Sequence, residues 1–318
     1  MGLEHNFEIC QKLSDRAYKE EQSPLGDWSP ISFIGHGVVK SKSIKEVPVF
    51  HDLNLACIAY KNEKTKEIII AFRGTEQKDC LDFVTDFQFV FRKIPAVTTK
   101  LARKAYNQIK AKYKDYSYYL TGHSLGGAYA QILGAELIKD NDLCHAIAFN
   151  PPGTYYALQR IEKDLAAKDK AAYEKELTSR INNYVIMNDF VGNFQAHIGS
   201  TYYIQPFPLD KHNAEGNLET PHNFILEYTE ANLGKHIPQP AGFFTANACA
   251  LWCFDVNNKN SGALFWFVKK VLDVDVSAKD LEKALKIIED LKASNKITLL
   301  NSFKYKTERK DYELKTNA

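Results

Sequence analysis

The chain has 318 residues, 45% of them hydrophobic and 25% charged, and a formal net charge of +2. This is ordinary globular composition, long enough for one large domain or a domain with an extension. The near-neutral balance, with no basic cluster interleaved with aromatics, argues against a nucleic-acid partner.

Phe7 to Glu20 predicts a helix, and Pro24 to Gly37 a turn-rich segment. A strand pair is expected at Leu53 to Tyr60 and Glu67 to Phe72, around a polar turn at Asn62-Glu63-Lys64. Ile68-Ile69-Ile70-Ala71-Phe72 is continuously apolar, as suits a strand buried on both faces. Leu81 to Phe91 is aromatic and apolar, with Asp82 and Asp86 inserted, and Val97 to Lys112 reads as a helix. A strand ending near His123 and a helix to Lys139 follow, then a strand at Cys144 to Phe149 and one charged helical stretch from Leu158 to Leu177. Ile181 to Met187 is a strand, His197 to Ile204 is strand-like, and Pro206 to Pro221 is a long polar loop. The alternation predicts an α/β fold with a mostly parallel central sheet and helices on both faces. Composition changes at Ile237-Pro238-Gln239-Pro240. The expected division is therefore a main domain over 1–240 and a helical C-terminal extension over 241–318, charged at its end. In the extension, Leu281, Leu285, Ile288 and Leu291 form an apolar stripe read as packing on the main domain.

Gly122-His123-Ser124-Leu125-Gly126 lies between the strand and the helix. A nucleophilic serine on a sharp strand-to-helix turn needs that context, because the backbone is strained and side chains at the flanking glycines collide with neighbouring elements. The helix start behind Ser124 also offers free N–H groups to an oxyanion. Such a serine needs a base and an orienting acid, in the chain order Ser, Asp or Glu, His. Asp189 directly follows a strand and fits the acid, whereas Asp142 precedes one and Asp164 and Asp169 sit on a charged helix. For the base, His222 is favoured because an amphipathic run follows it; His212 in the same loop, His197 and His236 remain alternatives. One oxyanion donor is expected at the Leu125 N–H, the other in Arg73-Gly74-Thr75 after the most apolar strand.

These residues resemble the class 3 lipases, the fungal-lipase-like α/β-hydrolases. The matching pieces are Ile69-Ile70-Ala71-Phe72-Arg73-Gly74-Thr75, Asp82-Phe83-Val84-Thr85-Asp86-Phe87, Thr121-Gly122-His123-Ser124-Leu125-Gly126-Gly127-Ala128, Ala148-Phe149-Asn150-Pro151-Pro152-Gly153, Asn188-Asp189 and His197-Ile198-Gly199. The resemblance implies Ser124 as nucleophile, Asp189 as acid, His222 as base, and Thr75 with Leu125 as oxyanion donors. It places a lid at Leu81 to Phe91, where Phe83 stands in place of the usual tryptophan. Val191-Gly192 stands where Val-Pro is common. The implied activity is hydrolysis of lipid carboxylic esters, as a lipase or phospholipase, without metal or cofactor. A short-chain esterase or thioesterase and a non-catalytic binding module are the alternatives.

Six cysteines (Cys10, Cys57, Cys80, Cys144, Cys249 and Cys253) show no metal-ligand pairing and read as reduced thiols. The first residues lack a basic region followed by an apolar core, and no apolar run approaches the roughly 20 residues of a membrane span. The expectation is a cytoplasmic protein, or one exported without a Sec signal, that is not transmembrane. Aromatics beside lysines, including Trp266, Lys269 and Lys270, leave room for peripheral membrane contact.

Overall fold

The computed structural model describes residues 5–20, 22–35, 45–47, 49–52, 55–74, 96–142, 144–186, 189, 191–192, 197–204 and 237–239. In chain order the strands are β1 Trp28–Ile31, β2 Phe33–Gly35, β3 Lys45–Val47, β4 Phe50–Asp52, β5 Leu55–Asn62, β6 Glu67–Phe72, β7 Ser117–His123, β8 His145–Phe149, β9 Ile181–Ile186, β10 Ser200–Ile204 and β11 Ile237–Gln239. The helices are α1 Phe7–Lys19, α2 Ala96–Lys112, α3 Leu125–Lys139, α4 Tyr155–Glu162 and α5 Ala167–Arg180.

The main sheet runs β1-β5-β6-β7-β8-β9-β10-β11, with β4 also on β5. The consecutive pairs from β6 to β10 are parallel. The pairs at the two ends, β1 with β5, β5 with β6, and β10 with β11, are antiparallel. Among the described residues, β2 and β3 form a separate antiparallel pair. The β5–β6 hairpin is closed by Asn62, whose Oδ1 accepts from the backbone N–H of Lys64 at 3.0 Å and Thr65 at 3.3 Å. An asparagine side chain that bonds the chain two residues on builds such a turn.

Side chains of β6 alternate between two cores. Ile68, Ile70 and Phe72 join a cluster with α2, α3 and residues of α4 and α5. Ile69 and Ala71 join a second cluster with Phe7, Cys10, Leu13 and Ala17 of α1. Period-two alternation puts successive residues on opposite faces, so an unbroken apolar run means that both faces are covered. The expected mostly parallel sheet with helices on both faces is therefore present. α3 is buried almost all round, as its mostly apolar sequence dictates.

Two expectations differ from the structure. Pro24 to Gly37 is not merely turns: Leu25 and Trp28 bridge around Gly26, and β1 follows as an edge strand with Pro30 opposite Tyr60. Proline is tolerated there because an edge strand has a side that needs no ladder donor. The single helix expected over Leu158 to Leu177 is two, separated at Lys163-Asp164-Leu165-Ala166. That break contains neither glycine nor proline. Leu165 packs against the first core cluster there, and tertiary burial overrides a helical pattern. The expected extension over 241–318, the lid segment and the long loop at 206–221 lie outside the described residues. No helix among the described residues is long and apolar enough to cross a membrane.

Candidate active site

β7 delivers Ser124 to the carboxyl edge of the sheet, and α3 begins at the next residue. Ser124 has φ 56° and ψ −128°, a conformation that costs a non-glycine residue about 1–3 kcal/mol. Its N–H donates to the Phe149 carbonyl at 3.0 Å, and its carbonyl accepts from Ala128 at 3.2 Å. The turn is tight enough that a Cβ on Gly122 would lie 2.4 Å from the Gly126 carbonyl carbon, and one on Gly126 2.1 Å from the Phe72 carbonyl oxygen. These two contacts explain the glycines on either side of the serine. The Ser124 Oγ is buried and has no hydrogen-bond partner among the described residues.

Leu125 is the first residue of α3, so its N–H has no acceptor within the helix. The neighbouring strand, β6, is followed by Arg73 and Gly74. The Arg73 N–H donates to Ala56 at 2.9 Å, and its Nη1 donates to Glu20 Oε1 at 2.8 Å. Glu20, left-handed at the end of α1, also meets His51 at 2.9 Å. Tyr18, two residues earlier on α1, places its Oη 3.0 Å from His123 Nδ1. A Cβ on Gly74 would be 2.1 Å from that oxygen and 2.7 Å from the His123 carbonyl. Burial pushes the Tyr18 hydroxyl well above the usual tyrosine range, against the opposing pull of Arg73 and the Gly74 amide. The end of α1 thus braces the β6 turn against the serine turn. Thr75 lies outside the described residues.

Asp189 follows β9, two strands from β7 in the parallel sheet, at the same carboxyl edge. Two strand spacings are about 10 Å, leaving room for an imidazole between the serine and the carboxylate. Asp189 is 1% exposed. Its backbone N–H donates to Ile186 at 3.0 Å. Its Oδ1 accepts from the Val191 N–H at 3.3 Å, and its Oδ2 from the Gly192 N–H at 2.6 Å. A carboxylate this deeply buried needs such donors. Asn150, with φ 42°, ties the ends of β8 and β9 together: its N–H donates to Tyr184 and its Oδ1 accepts from Ile186, both at 2.8 Å.

His197 is 4% exposed, and its Nε2 donates to the Gly192 carbonyl at 2.8 Å. Burial lowers its pKa to about 4. With Nε2 committed to that carbonyl, His197 serves the acid turn. His222, His212 and His236 lie outside the described residues. The described structure therefore sets Ser124, Leu125 and Asp189 along one edge of the sheet. It adds Tyr18, Asn150 and His197, whose roles the sequence reading did not single out. Asn150 carried a signal, as the polar residue closing a strand before Pro151-Pro152; Tyr18 reads in sequence as one more aromatic on an amphipathic helix. Among the described residues no three His, Cys, Asp or Glu side chains are grouped to hold a metal ion.

Residues 69–196 match the family model for lipase (class 3). The matched stretch contains most of β6, the serine turn and Asp189. This segment is similar to the class 3 lipases. An uncharacterized protein of Rickettsia prowazekii (strain Madrid E) is 28% identical over 167 residues, which cover 48% of this chain. The chain spans about half (45%) of the length of that curated relative. Among solved structures, a triacylglycerol lipase from Penicillium expansum is 19% identical, with 73% of this chain and 88% of that one covered and a TM-score of 0.39. A mono- and diacylglycerol lipase from Aspergillus oryzae is 16% identical, with 67% and 84% covered and a TM-score of 0.42.

Proposed function

We propose that the protein is a serine hydrolase that cleaves carboxylic esters of lipids, as a lipase or phospholipase. The observation that carries this reading is Ser124 itself: a buried serine held at φ 56° on a strand-to-helix turn, inside a segment that matches the class 3 lipase model. Strain of that kind persists only where the surroundings enforce it, and it presents a nucleophile at the end of a helix that can stabilise an oxyanion.

Ser124 Oγ attacks the acyl carbonyl carbon while His222 takes its proton. The Leu125 N–H and Thr75 hold the tetrahedral oxyanion. Collapse expels the alcohol, which takes the proton from His222, and leaves an acyl ester on Ser124. Water, deprotonated by His222, attacks that ester; a second collapse releases the carboxylic acid and restores the serine. Asp189 holds the His222 tautomer and stabilises the imidazolium. The reaction needs no cofactor. The substrate is a lipid or other acyl ester, and peripheral contact with a lipid surface would bring the site to it.

The test is labelling of the full chain by a fluorophosphonate probe, followed by hydrolysis of an acyl-chain-length series and of phospholipid vesicles, each compared with Ser124→Ala. The expected result is labelling and turnover that Ser124→Ala abolishes, with preference for long chains. Turnover confined to short soluble esters or thioesters would make the protein an esterase or thioesterase. Absence of both labelling and turnover in the folded wild type would make it a binding module on the same fold.

A further inference from the structure

We infer that His197 is a positioning residue that fixes the acid turn of the active site. This rests on the reading of Asp189 as the triad acid. Gly192 is held at both of its backbone groups. Its N–H donates to Asp189 Oδ2 at 2.6 Å, and its carbonyl accepts from His197 Nε2 at 2.8 Å. Between those two bonds lies a residue with no side chain and the widest backbone freedom of any. Left alone, the turn would carry the Asp189 carboxylate through a range of positions. The His197 bond removes that freedom on the side away from the carboxylate.

A side chain at 192 cannot supply the rigidity instead. A Cβ there would sit 2.7 Å from Asp189 Oδ2 and 2.9 Å from Val185 Cγ1. A proline would lack the N–H that Asp189 uses. The turn therefore needs glycine for its contact with the carboxylate, and needs an outside group to hold that glycine still.

His197 is itself fixed to the scaffold. The next residue, Ile198, donates its N–H to Gln131 Oε1 at 3.1 Å, and its carbonyl accepts from Asn183 Nδ2 at 2.8 Å. Gln131 is fully buried on α3, the helix that starts beside Ser124, and also donates to the Pro152 carbonyl at 3.1 Å. Asn183 is on β9, the strand that leads to Asp189. A chain of hydrogen bonds thus runs from the nucleophile's helix through Gln131, Ile198, His197 and Gly192 to the carboxylate. The His197 ring gives one proton into this chain. Its Nδ1 is buried with no hydrogen-bond partner among the described residues, as fits a neutral ring with the proton on Nε2.

The test uses the full chain, a soluble short-chain ester, and kcat and kcat/KM measured across pH, with thermal unfolding alongside. His197→Leu should lower kcat about 100-fold with KM nearly unchanged, because a misplaced orienting group costs turnover more than binding. The acid limb of kcat/KM should also move to lower pH, since a base that has lost its carboxylate partner gives up its proton more readily. His197→Gln, which can place an N–H near the Nε2 position, should restore most of both. A folded His197→Leu with the wild-type kcat and acid limb overturns the inference, and so does equal impairment of the Leu and Gln variants. If His197→Leu does not fold, Gly192→Ala takes its place: pressure on Asp189 Oδ2 should give the same paired signature, and a wild-type profile overturns the inference. Ser124→Ala and Asp189→Asn run beside these. Activity surviving in either one overturns the triad reading and this inference with it. If both are dead while His197→Leu is normal, only the positioning role fails.

Discussion

Tyr18 of α1 and His123, the residue before the proposed nucleophile, are joined by a hydrogen bond of 3.0 Å between Oη and Nδ1. The two residues are 105 positions apart in sequence, so the bond fastens the first helix to the serine turn. The same hydroxyl packs against Gly74, the residue before the proposed oxyanion donor Thr75. Tyr18→Phe keeps the ring and removes the hydroxyl, with this bond, a longer one to the His123 carbonyl at 3.5 Å and the contact with the Gly74 amide. The expected cost is about 1 kcal/mol of stability, the worth of one hydrogen bond. A loss of roughly tenfold in kcat with KM unchanged should accompany it, because the β6 turn is then less firmly held against the serine. Denaturant titration and steady-state kinetics on a soluble ester check the two parts. Unchanged kcat would confine Tyr18 to a structural role.

Ser124 carries strain that serves no packing purpose, and this separates stability from activity. Glycine adopts φ 56° and ψ −128° without the Cβ penalty, and replacing the serine also removes a buried hydroxyl that has no partner among the described residues. Ser124→Gly is therefore expected to be more stable than the wild type by about 1 kcal/mol. Its turnover should fall by about 10⁴-fold or more. Differential unfolding in urea and the probe-labelling assay measure the pair. A less stable Ser124→Gly would mean that the backbone at 124 is not under strain.

The parts of the fold that were legible in the sequence are those where local pattern and tertiary position agree. Ile68 to Phe72 reads as a doubly buried strand because both faces are covered, and Gly122 and Gly126 read as a turn because backbone crowds both positions. The break between α4 and α5 was not legible, since Leu165 is drawn into the core without any helix-breaking residue. Strand β1 was hidden by Pro24, Gly26 and Pro30, which mark turns in most contexts and here flank or occupy a sheet edge. At the candidate site, the placement of Ser124 and Asp189 was legible because each follows a strand at the same edge. Tyr18 was not, because it acts through a bond to a distant ring and leaves no local pattern; His197 stood out only as part of a matching piece and an alternative base, and its bond to Gly192 was not legible. For the base the sequence alone speaks: it favours His222, with His212 as the main alternative, and both lie outside the described residues.

That choice can be made by substitution. Only one imidazole fits between Ser124 and Asp189, so the two loop histidines must differ sharply. His222→Ala is expected to match the loss in Ser124→Ala, of order 10⁴-fold or more, and His212→Ala to stay near wild type. Asp189→Asn should fall severely as well, because an amide can hold the imidazole in the wrong tautomer. A dead His212→Ala beside an active His222→Ala would reverse the assignment and leave Ser124 and Asp189 in place.

Acid stability gives a reading of His197 that needs no substrate. Its pKa is lowered by burial from the ordinary 6.5 to about 4, the bond to Gly192 opposing the shift. Above pH 6.5 the ring is neutral in both folded and unfolded chains, and its contribution is complete. Between that value and about 4 the unfolded chain takes up a proton that the folded chain refuses, so stability falls as pH falls. The full difference corresponds to on the order of 3 kcal/mol, reached near the folded value. His145 shifts in the same direction, through burial and then Arg180, so the wild-type curve holds both contributions. Subtraction isolates one of them. His197→Gln cannot titrate, and its urea midpoint should decline less than that of the wild type between pH 7 and pH 4.5. The gap between the two curves should open below pH 6.5 and stop widening near pH 4. Parallel curves across that range would mean that His197 is not buried as a neutral donor, and the hydrogen bond to Gly192 would lose its tautomer.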